Sequence, residues 1–332
     1  MSKVLQYQFI KSISFRLLSS ILTLFLFVSI IFFLVRLSPG NPTEKYISAK
    51  LGTELSESVS EKFSINKPVI DQYISFVSNL FTGEFGISYN YHLPVFDVVW
   101  KYFSFTIVFA AISFIIQLSL SLWLAIRVFR SKIEWIEKFL SGFSLFVYSI
   151  PAFVLGVGLI YIFSIHLNLL PISGLKSLDY EEMSFFQKFL DLAKHLILPL
   201  ITLSAAGIAL FYKYIKEGLE DVKQKTFVLN LRASGVEESR ILKNHILPNA
   251  VRPLIAVAGV ELGILLGGTL ITEVIFSLPG MGRLAIDSIL SRDYPLVIGC
   301  VFIAGLVMIF ANLIADIVKL KIDKRLIKGI LN

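Results

Sequence analysis

The sequence predicts an all-α integral membrane protein with six transmembrane helices and both termini in the cytoplasm. The first observation is composition: 55% of the residues are hydrophobic, 17% are charged and the mean hydropathy is +0.76. A soluble domain carries about 25% charged residues, so the chain departs toward the membrane class. The second is a set of six apolar runs, each long enough to cross a bilayer. The third is the uneven placement of Lys and Arg.

The six apolar runs are 17–35, 103–126, 139–163, 196–212, 254–272 and 296–315. The first follows Lys3, Lys11 and Arg16, but it is longer than the apolar core of a signal peptide and no A-x-A site follows it. We therefore expect a retained membrane anchor. Pro151 and Pro199 fall inside the third and fourth runs, where a proline can break a membrane helix.

The distribution of basic residues predicts the orientation. Twenty of the 31 Lys and Arg residues lie before the first run, between the second and third, after the fourth and in the C-terminal tail. By the positive-inside rule these segments are cytoplasmic, and 37–100, 165–195 and 275–295 lie outside. The predicted parts are a first helix with an extracytoplasmic segment of short helices (1–100), a five-helix core with a cytoplasmic loop at 214–252 (101–320), and a tail (321–332). The basic pI of about 9.3 reflects topology, so we expect membrane lipid and no nucleic acid as partner.

A polar stretch, "TFVLNLRASGVEESRILKNHILPNAV" (226–251), separates two of the most apolar runs. We predict a short helix over 222–234, whose apolar side holds Phe227, Val228, Leu231 and Ser234 at helical spacing. Gly235 stands where a helix favours a left-handed residue, and a second helix over 236–246 follows. Pro248 and Pro253 then bend the chain into the fifth run. Such an elbow could seat one helix in a groove of a cytosolic partner; the alternative is an ordinary basic loop with some helix.

This stretch resembles the cytoplasmic signature of ATP-binding-cassette importer permeases. It is most similar to the first permease subunit of peptide/nickel importers, which runs approximately "YVRTARAKG…HALRNA". The matching positions are Phe227, Val228, Arg232, Ala233, Gly235, His245, Asn249 and Ala250. The family's acidic triplet would fall on Leu229, Asn230 and Leu231, so its acidic member is absent here.

Six further segments resemble the same family in the same order, so the resemblance covers essentially the whole chain. They are "RLSPGNP" (36–42), "FTGEFGISY" (81–89), "YSIPAFVLG" (148–156), "LPLITL" (198–203), "TEVIFSLPGMGRLAIDSILSRDYP" (272–295) and "NLIADIVKLKIDKRL" (312–326). The resemblance implies the type I importer permease fold in a prokaryotic cell membrane. It also implies a heterodimer with a second homologous permease, two ATP-binding subunits and an extracytoplasmic substrate-binding protein.

The resemblance assigns this chain a share of the translocation path, driven by ATPase subunits that contact Phe227, Val228, Leu231, Arg232, Ala233 and Gly235. ATP and Mg would bind on those subunits, and no cofactor or metal on this chain. The nearest approach to a nucleotide-binding loop, Gly263 to Thr269, lacks the lysine. Short peptides are the expected substrate, with nickel or a metal chelate as the alternative. An intramembrane enzyme would need catalytic pairs that the apolar runs do not offer, and a passive channel would have no need of the elbow.

The fifth run carries two further predictions. Gly259, Gly263 and Gly267 recur every four residues, a spacing that lets a neighbouring helix approach closely. Glu261 points away from this stripe, and a carboxylate facing lipid is unfavourable, so we place it on the translocation path. The alternative is an ion pair with the partner permease. Beyond the run, four residues around an outer turn are expected to steady the external mouth: Glu273, Pro279, Gly280 and Arg283.

Overall fold

A computed structural model of the protein describes residues 3–37, 68–131 and 133–322. Within these ranges the chain is helical, and an isolated antiparallel bridge between Ile87 and Pro94 is the only extended pairing. Most of the "RLSPGNP" segment, the first part of the extracytoplasmic segment and nearly all of the predicted tail lie outside the described residues.

The helices follow one another as α1 (Lys3–Leu37), α2 (Val69–Thr82), α3 (Val95–Ser131), α4 (Glu134–Ser149), α5 (Ala152–Leu159), α6 (Phe185–Lys223), α7 (Thr226–Ala233), α8 (Glu238–Ile241), α9 (Leu247–Ala250), α10 (Arg252–Ile275), α11 (Met281–Leu290) and α12 (Tyr294–Ile322). π-Helical turns over Ile160–His166 and Leu242–Ile246 continue α5 and connect α8 to α9. A 3-10 turn over Tyr180–Glu182 lies in the loop before α6.

Five of the described helical stretches are long and apolar enough to cross a membrane: Leu17–Leu34, Val95–Ser131, Phe185–Lys223, Val257–Ile275 and Tyr294–Ile314. A bent pair, Glu134–Ser149 and Ala152–His166, makes a sixth if the two helices, which are at 101° to each other, count as one span. The predicted all-α membrane architecture is confirmed, with a sharp bend in the third predicted run.

The two prolines inside predicted spans behave differently. Pro151 precedes α5 and follows the end of α4, so the break predicted there is confirmed. Pro199 lies inside α6, which continues through it over 39 residues. A proline removes one backbone hydrogen bond, and α6 remains helical on both sides of it.

Contacts divide the chain into two compact units. The first comprises residues 1–14, 108–278 and 310–332. Its core lies where α6 meets the segment after it, and consists of side chains from α3, α6, α7, α8, the π-turn and α9. The buried members include Ile215, Leu219, Val228, Ile241 and Ile246, each less than 1% exposed. We call this cluster the loop-end core.

The second unit comprises residues 15–107 and 279–309. The start of α3 packs against α11 and α12 through Val95, Phe103, Leu284 and Leu296. Gly299 of α12 lies so close to Val95 that a Cβ there would collide with its side chain. In a separate cluster, α2 rests on α1, with the Phe32 and Phe76 rings stacked 4.9 Å apart.

Candidate coupling and translocation site

The predicted coupling helix is α7, a short helix that follows α6 after two linking residues. Helix α6 ends at Lys223 and α7 begins at Thr226, so the helix predicted over 222–234 starts four residues later than expected. The prediction was wrong at this boundary because Val222 and its neighbours continue the long helix above. Val228 is fully buried in the loop-end core, and this side chain holds α7 against the end of α6.

The apolar residues of α7 divide between two faces. Val228 and Leu231 face the loop-end core, whereas Phe227 and Leu229 are 41% and 52% exposed. The predicted single apolar side that joined Phe227 to Val228 is therefore wrong. Successive helix residues are about 100° apart, and eight residues present only one narrow face to the core. Exposure of Phe227, Leu229, Asn230 and Ala233 leaves a solvent-facing side on α7.

The turn after α7 has the predicted left-handed geometry. Gly235 has a φ of 76°, and its N–H donates to the Arg232 carbonyl at 3.0 Å. The Arg232 guanidinium spans the turn and donates two hydrogen bonds to the Glu238 carboxylate, the longer at 3.3 Å. This ion pair raises the pKa of Arg232 above its usual value. Arg232 therefore ties the two arms of the elbow together.

The second arm is longer than predicted and reaches α10 through a short break. Helical structure continues from Glu238 to Ala250, so the end predicted at 246 is wrong and Pro248 lies within the helical run. A π-turn directly precedes this proline, and such wide turns accommodate residues that cannot donate to the helix. The chain bends at Val251, and Pro253 lies in the first turn of α10, where its missing N–H is not needed.

Helix α10 places the predicted path and packing residues in different environments. Glu261 and Gly259 are half-buried, Gly263 is buried and Gly267 is exposed. A Cβ at Gly263 would lie 3.4 Å from Oδ1 of Asn312, whereas one at Gly267 would meet no described atom within 4 Å. Within the chain the glycine stripe is therefore close to another helix at Gly263 and open at Gly267. The roles predicted for the stripe and for Glu261 stay predictions.

The residues predicted at the external mouth lie around the end of α10 and in the segment that follows it. Glu273 is fully buried near the end of α10, and its carbonyl accepts a hydrogen bond from Leu278 N at 2.9 Å. Pro279 is half-buried, and buried Gly280 is the N-cap of α11. Arg283 of α11 lies 3.5 Å from the Asp287 carboxylate, one helical turn ahead.

The sequence did not lead us to a cluster of hydrogen bonds in the second unit, which we call the polar knot; it joins Ser88, Asn90, Asp293 and Leu296. The buried carboxylate of Asp293 accepts hydrogen bonds from the Ser88 hydroxyl and from Asn90 N, the latter at 3.0 Å. Its other oxygen lies 3.4 Å from Leu296 N, where it caps the start of α12. The Asp-Tyr-Pro sequence just before an apolar run is an N-cap signal that could have indicated this role.

Polar contacts at two places along α6 were also missed. Ser204 lies 2.7 Å from the Ser113 hydroxyl of α3, and Gln117 donates to the Leu203 carbonyl at 3.3 Å. Nearer the C-terminal end of α6, Nζ of Lys216 lies 2.8 Å from the carboxylate of Glu137 and 3.0 Å from the hydroxyl of Ser141, both on α4. Small and polar residues commonly join membrane helices, so the serines of α3 and Ser204 of α6 carried a usable signal.

In the loop before α6, charged side chains pair close to an aromatic ring. Lys176 donates to the Glu181 carboxylate, and its ammonium group lies 4.9 Å from the centre of the Tyr180 ring. The hydrogen bond from Lys176 holds the pKa of Glu181 below its usual value. Asp191 accepts hydrogen bonds from both the N–H and the hydroxyl of Ser177, the former at 2.9 Å, and so fixes this loop to α6.

Comparison with known proteins assigns the family. Residues 117–328 match the family described as the inner-membrane component of binding-protein-dependent transport systems, and residues 9–110 match the N-terminal part of such components. The chain belongs to this family. It is thus an integral inner-membrane permease component of a binding-protein-dependent ABC importer, of the nickel or peptide type. Members of the family are transport components and not enzymes.

Individual relatives agree with this assignment. The nickel import system permease protein NikB of Staphylococcus aureus (strain USA300) is 31% identical over 319 residues, which is 95% of this chain and 92% of that protein. A probable peptide ABC transporter permease protein of Sinorhizobium fredii, y4tP, is 28% identical over 94% of this chain and 97% of its own length. A crystal structure of an amino acid ABC transporter shares the fold, with a TM-score of 0.53 at 16% identity over 68% of this chain and 94% of that chain.

Proposed function

We propose that this permease forms half of a translocation path for short peptides, delivered by an extracytoplasmic substrate-binding protein. A second, homologous permease subunit would form the other half. Two ATP-binding subunits would supply the energy and hold the Mg-ATP, so that no cofactor binds to this chain. Family membership supports the set of partners, and the similarity to a peptide transporter permease supports the cargo.

The observation that carries the proposal is the two-sided character of α7. Val228 anchors one side in the loop-end core, and the exposed residues Phe227 and Leu229 flank the opposite side at about 100° to either side of Val228. An exposed side with apolar residues at both edges, on a short helix at the end predicted to be cytoplasmic, fits a groove on a partner protein. Because this chain has Leu229 and Asn230 where the family has its acidic motif, we expect an apolar rather than an ionic contact.

The same geometry explains how movement would reach the membrane. Val228 packs with Ile215 and Leu219 of α6, so α7 and the lower part of α6 would move together. Helix α6 has 39 residues and is about 58 Å long at 1.5 Å per residue, enough to cross the bilayer and extend beyond it. Closure of the ATPase pair would thus tilt α6 and favour one of two helix packings, as alternating access requires.

The direct test changes the exposed face without touching the buried one. We expect Leu229→Lys to reduce ATP-driven peptide uptake at least tenfold in vesicles that contain the complete importer, because a cation replaces the apolar contact. ATPase subunits should also be lost from the purified complex. The matched control is Leu178→Lys, a fully exposed leucine in the loop before α6, which should keep both subunits and uptake. Unchanged uptake and assembly in Leu229→Lys would refute the coupling role.

A second cargo, nickel or a metal chelate, is favoured by the similarity to NikB. The two cargoes can be separated by competition in the same vesicles, with short peptides against a nickel–histidine chelate. Glu261→Gln refines this test, since a carboxylate on the path would favour cationic groups. If Glu261 faces the path, the variant should shift the preference from basic to neutral cargo about threefold, whereas an ion pair with the partner permease would make the variant lose the partner instead.

A further inference from the structure

A groove between the end of α3 and the beginning of α4 has no role in the coupling mechanism. Its volume is about 640 Å³, within the range of small-molecule sites. Apolar side chains form most of the wall, among them Trp123, Ile126, Ile136 and Leu140. Two arginines, Arg127 and Arg130, line the same groove.

Neither arginine is paired with another side chain within the described part of the chain. Both side chains are exposed, and neither guanidinium has an ion pair or a side-chain hydrogen bond there. The next cations nearby are already engaged, since Lys138 pairs with Glu134 at 3.1 Å and Lys216 pairs with Glu137. Two unpaired guanidinium groups beside an apolar groove form a positively charged site with an apolar wall.

The groove lies at the end of the first unit that is predicted to be cytoplasmic. Val128, which lines the groove, and its neighbour Ala125 belong to the loop-end core together with Val222 and Val228. The groove is therefore level with the end of α6 that precedes α7. With the orientation that the Lys and Arg distribution predicts, the headgroups of the cytoplasmic leaflet would meet the hydrocarbon region at this depth.

We propose that this groove binds one anionic phospholipid, with its phosphate between Arg127 and Arg130 and an acyl chain along the apolar wall. Guanidinium groups bind phosphate oxygens in bidentate geometry, and basic pockets between membrane helices on the cytoplasmic side suit acidic headgroups. The cationic amine of a zwitterionic headgroup would be repelled by the two guanidinium groups, whereas an anionic headgroup carries no such cation. A helix of the partner permease is the alternative occupant of the apolar wall, and it would leave no room for a labelled lipid.

Photo-crosslinking in the assembled importer tests the site directly. Vesicles of phosphatidylcholine would contain a minor fraction of phosphatidylglycerol, with the diazirine carried on one lipid or the other. We expect phosphatidylglycerol to label the peptides around 123–130 and 136–140 in excess of its share of the membrane. Arg127→Gln and Arg130→Gln should each lower this labelling about fivefold, the effect of one cation near a membrane surface.

The matched control is Lys101→Gln, which removes an exposed cation at the other end of α3 and should leave the labelling unchanged. Ile126→Trp keeps both guanidinium groups but narrows the groove; Ile126 is not part of the loop-end core, so folding should survive. We expect this variant to lose the phosphatidylglycerol preference. Equal labelling by both lipids, no labelling by either, or a full preference in Ile126→Trp would overturn the proposal.

Discussion

The loop-end core of the first unit and the polar knot of the second are held together by different forces. At the loop end, Val228, Ile241 and Ile246 are buried among other apolar side chains, and the elbow contributes its charges only at the surface. In the second unit, the buried carboxylate of Asp293 accepts hydrogen bonds that join the hairpin of residues 86–94 to the start of α12.

The difference bears on which region can move. Burial of apolar surface is non-directional, so packed helices can slide by small amounts and remain in contact. Hydrogen bonds to a buried carboxylate depend on distance and angle and are lost abruptly when the groups separate. The elbow, which we propose to be moved by the ATPases, is therefore held by apolar packing that tolerates small shifts. The hairpin of residues 86–94 is held by hydrogen bonds that do not.

Ile241→Ala should produce the largest loss of stability, and it should be confined to the loop-end core. Truncation of a fully buried isoleucine leaves a cavity in the loop-end core and lowers its stability by about 2–5 kcal/mol. Hydrogen exchange in detergent should therefore accelerate for amides of residues 226–250 and remain unchanged for residues 86–94. Asn244→Ala, at an exposed position three residues later, serves as the control. Equal protection in both variants would show that apolar burial does not hold the elbow.

Asp293→Ala should have the next largest effect and the opposite distribution. It removes the acceptor for Ser88 and Asn90 and the N-cap of α12, and we expect a loss of about 2–3 kcal/mol from the second unit. Limited proteolysis should then cleave the hairpin of residues 86–94 faster, while the elbow keeps its resistance. Asp293→Asn retains an acceptor oxygen and should be intermediate. Faster cleavage of the elbow alone would contradict the comparison.

Much of the fold could be predicted from the sequence because membrane spans leave a strong signal. Lipid requires long apolar stretches with internally satisfied backbones, and all six predicted runs coincide with described helices. Helix ends were predicted less well. Val222 to Lys223 extend α6, and Pro248 lies within a helical run, because tertiary packing in the loop-end core outweighs local signals.

Site residues could be predicted where local backbone geometry requires a particular residue. They could not be predicted where contacts between distant parts of the chain determine the role. Gly235 follows from the geometry of a helix end, a local rule. The division of Phe227 and Val228 between two faces depends on where α6 lies, and the knot at Asp293 joins residues about two hundred positions apart in the chain. Such contacts are set by the tertiary fold, and a single sequence gives no direct information about them.

Substitutions at Gly235 should give the smallest effect and refine the comparison at the elbow itself. No described atom lies within 4 Å of a Cβ at this position, so Gly235→Ala is opposed only by the positive φ and should destabilise the turn by about 1 kcal/mol. Gly235→Asn should be milder, since asparagine tolerates left-handed geometry. Gly235→Pro should be worst, because its ring fixes φ at about −65° and it cannot donate the hydrogen bond to Arg232. Hydrogen exchange of residues 226–246 should rise in the order Asn, Ala, Pro, with peptide uptake falling in the same order. If the proline variant transported as well as the alanine variant, the turn would not need to stay fixed for coupling.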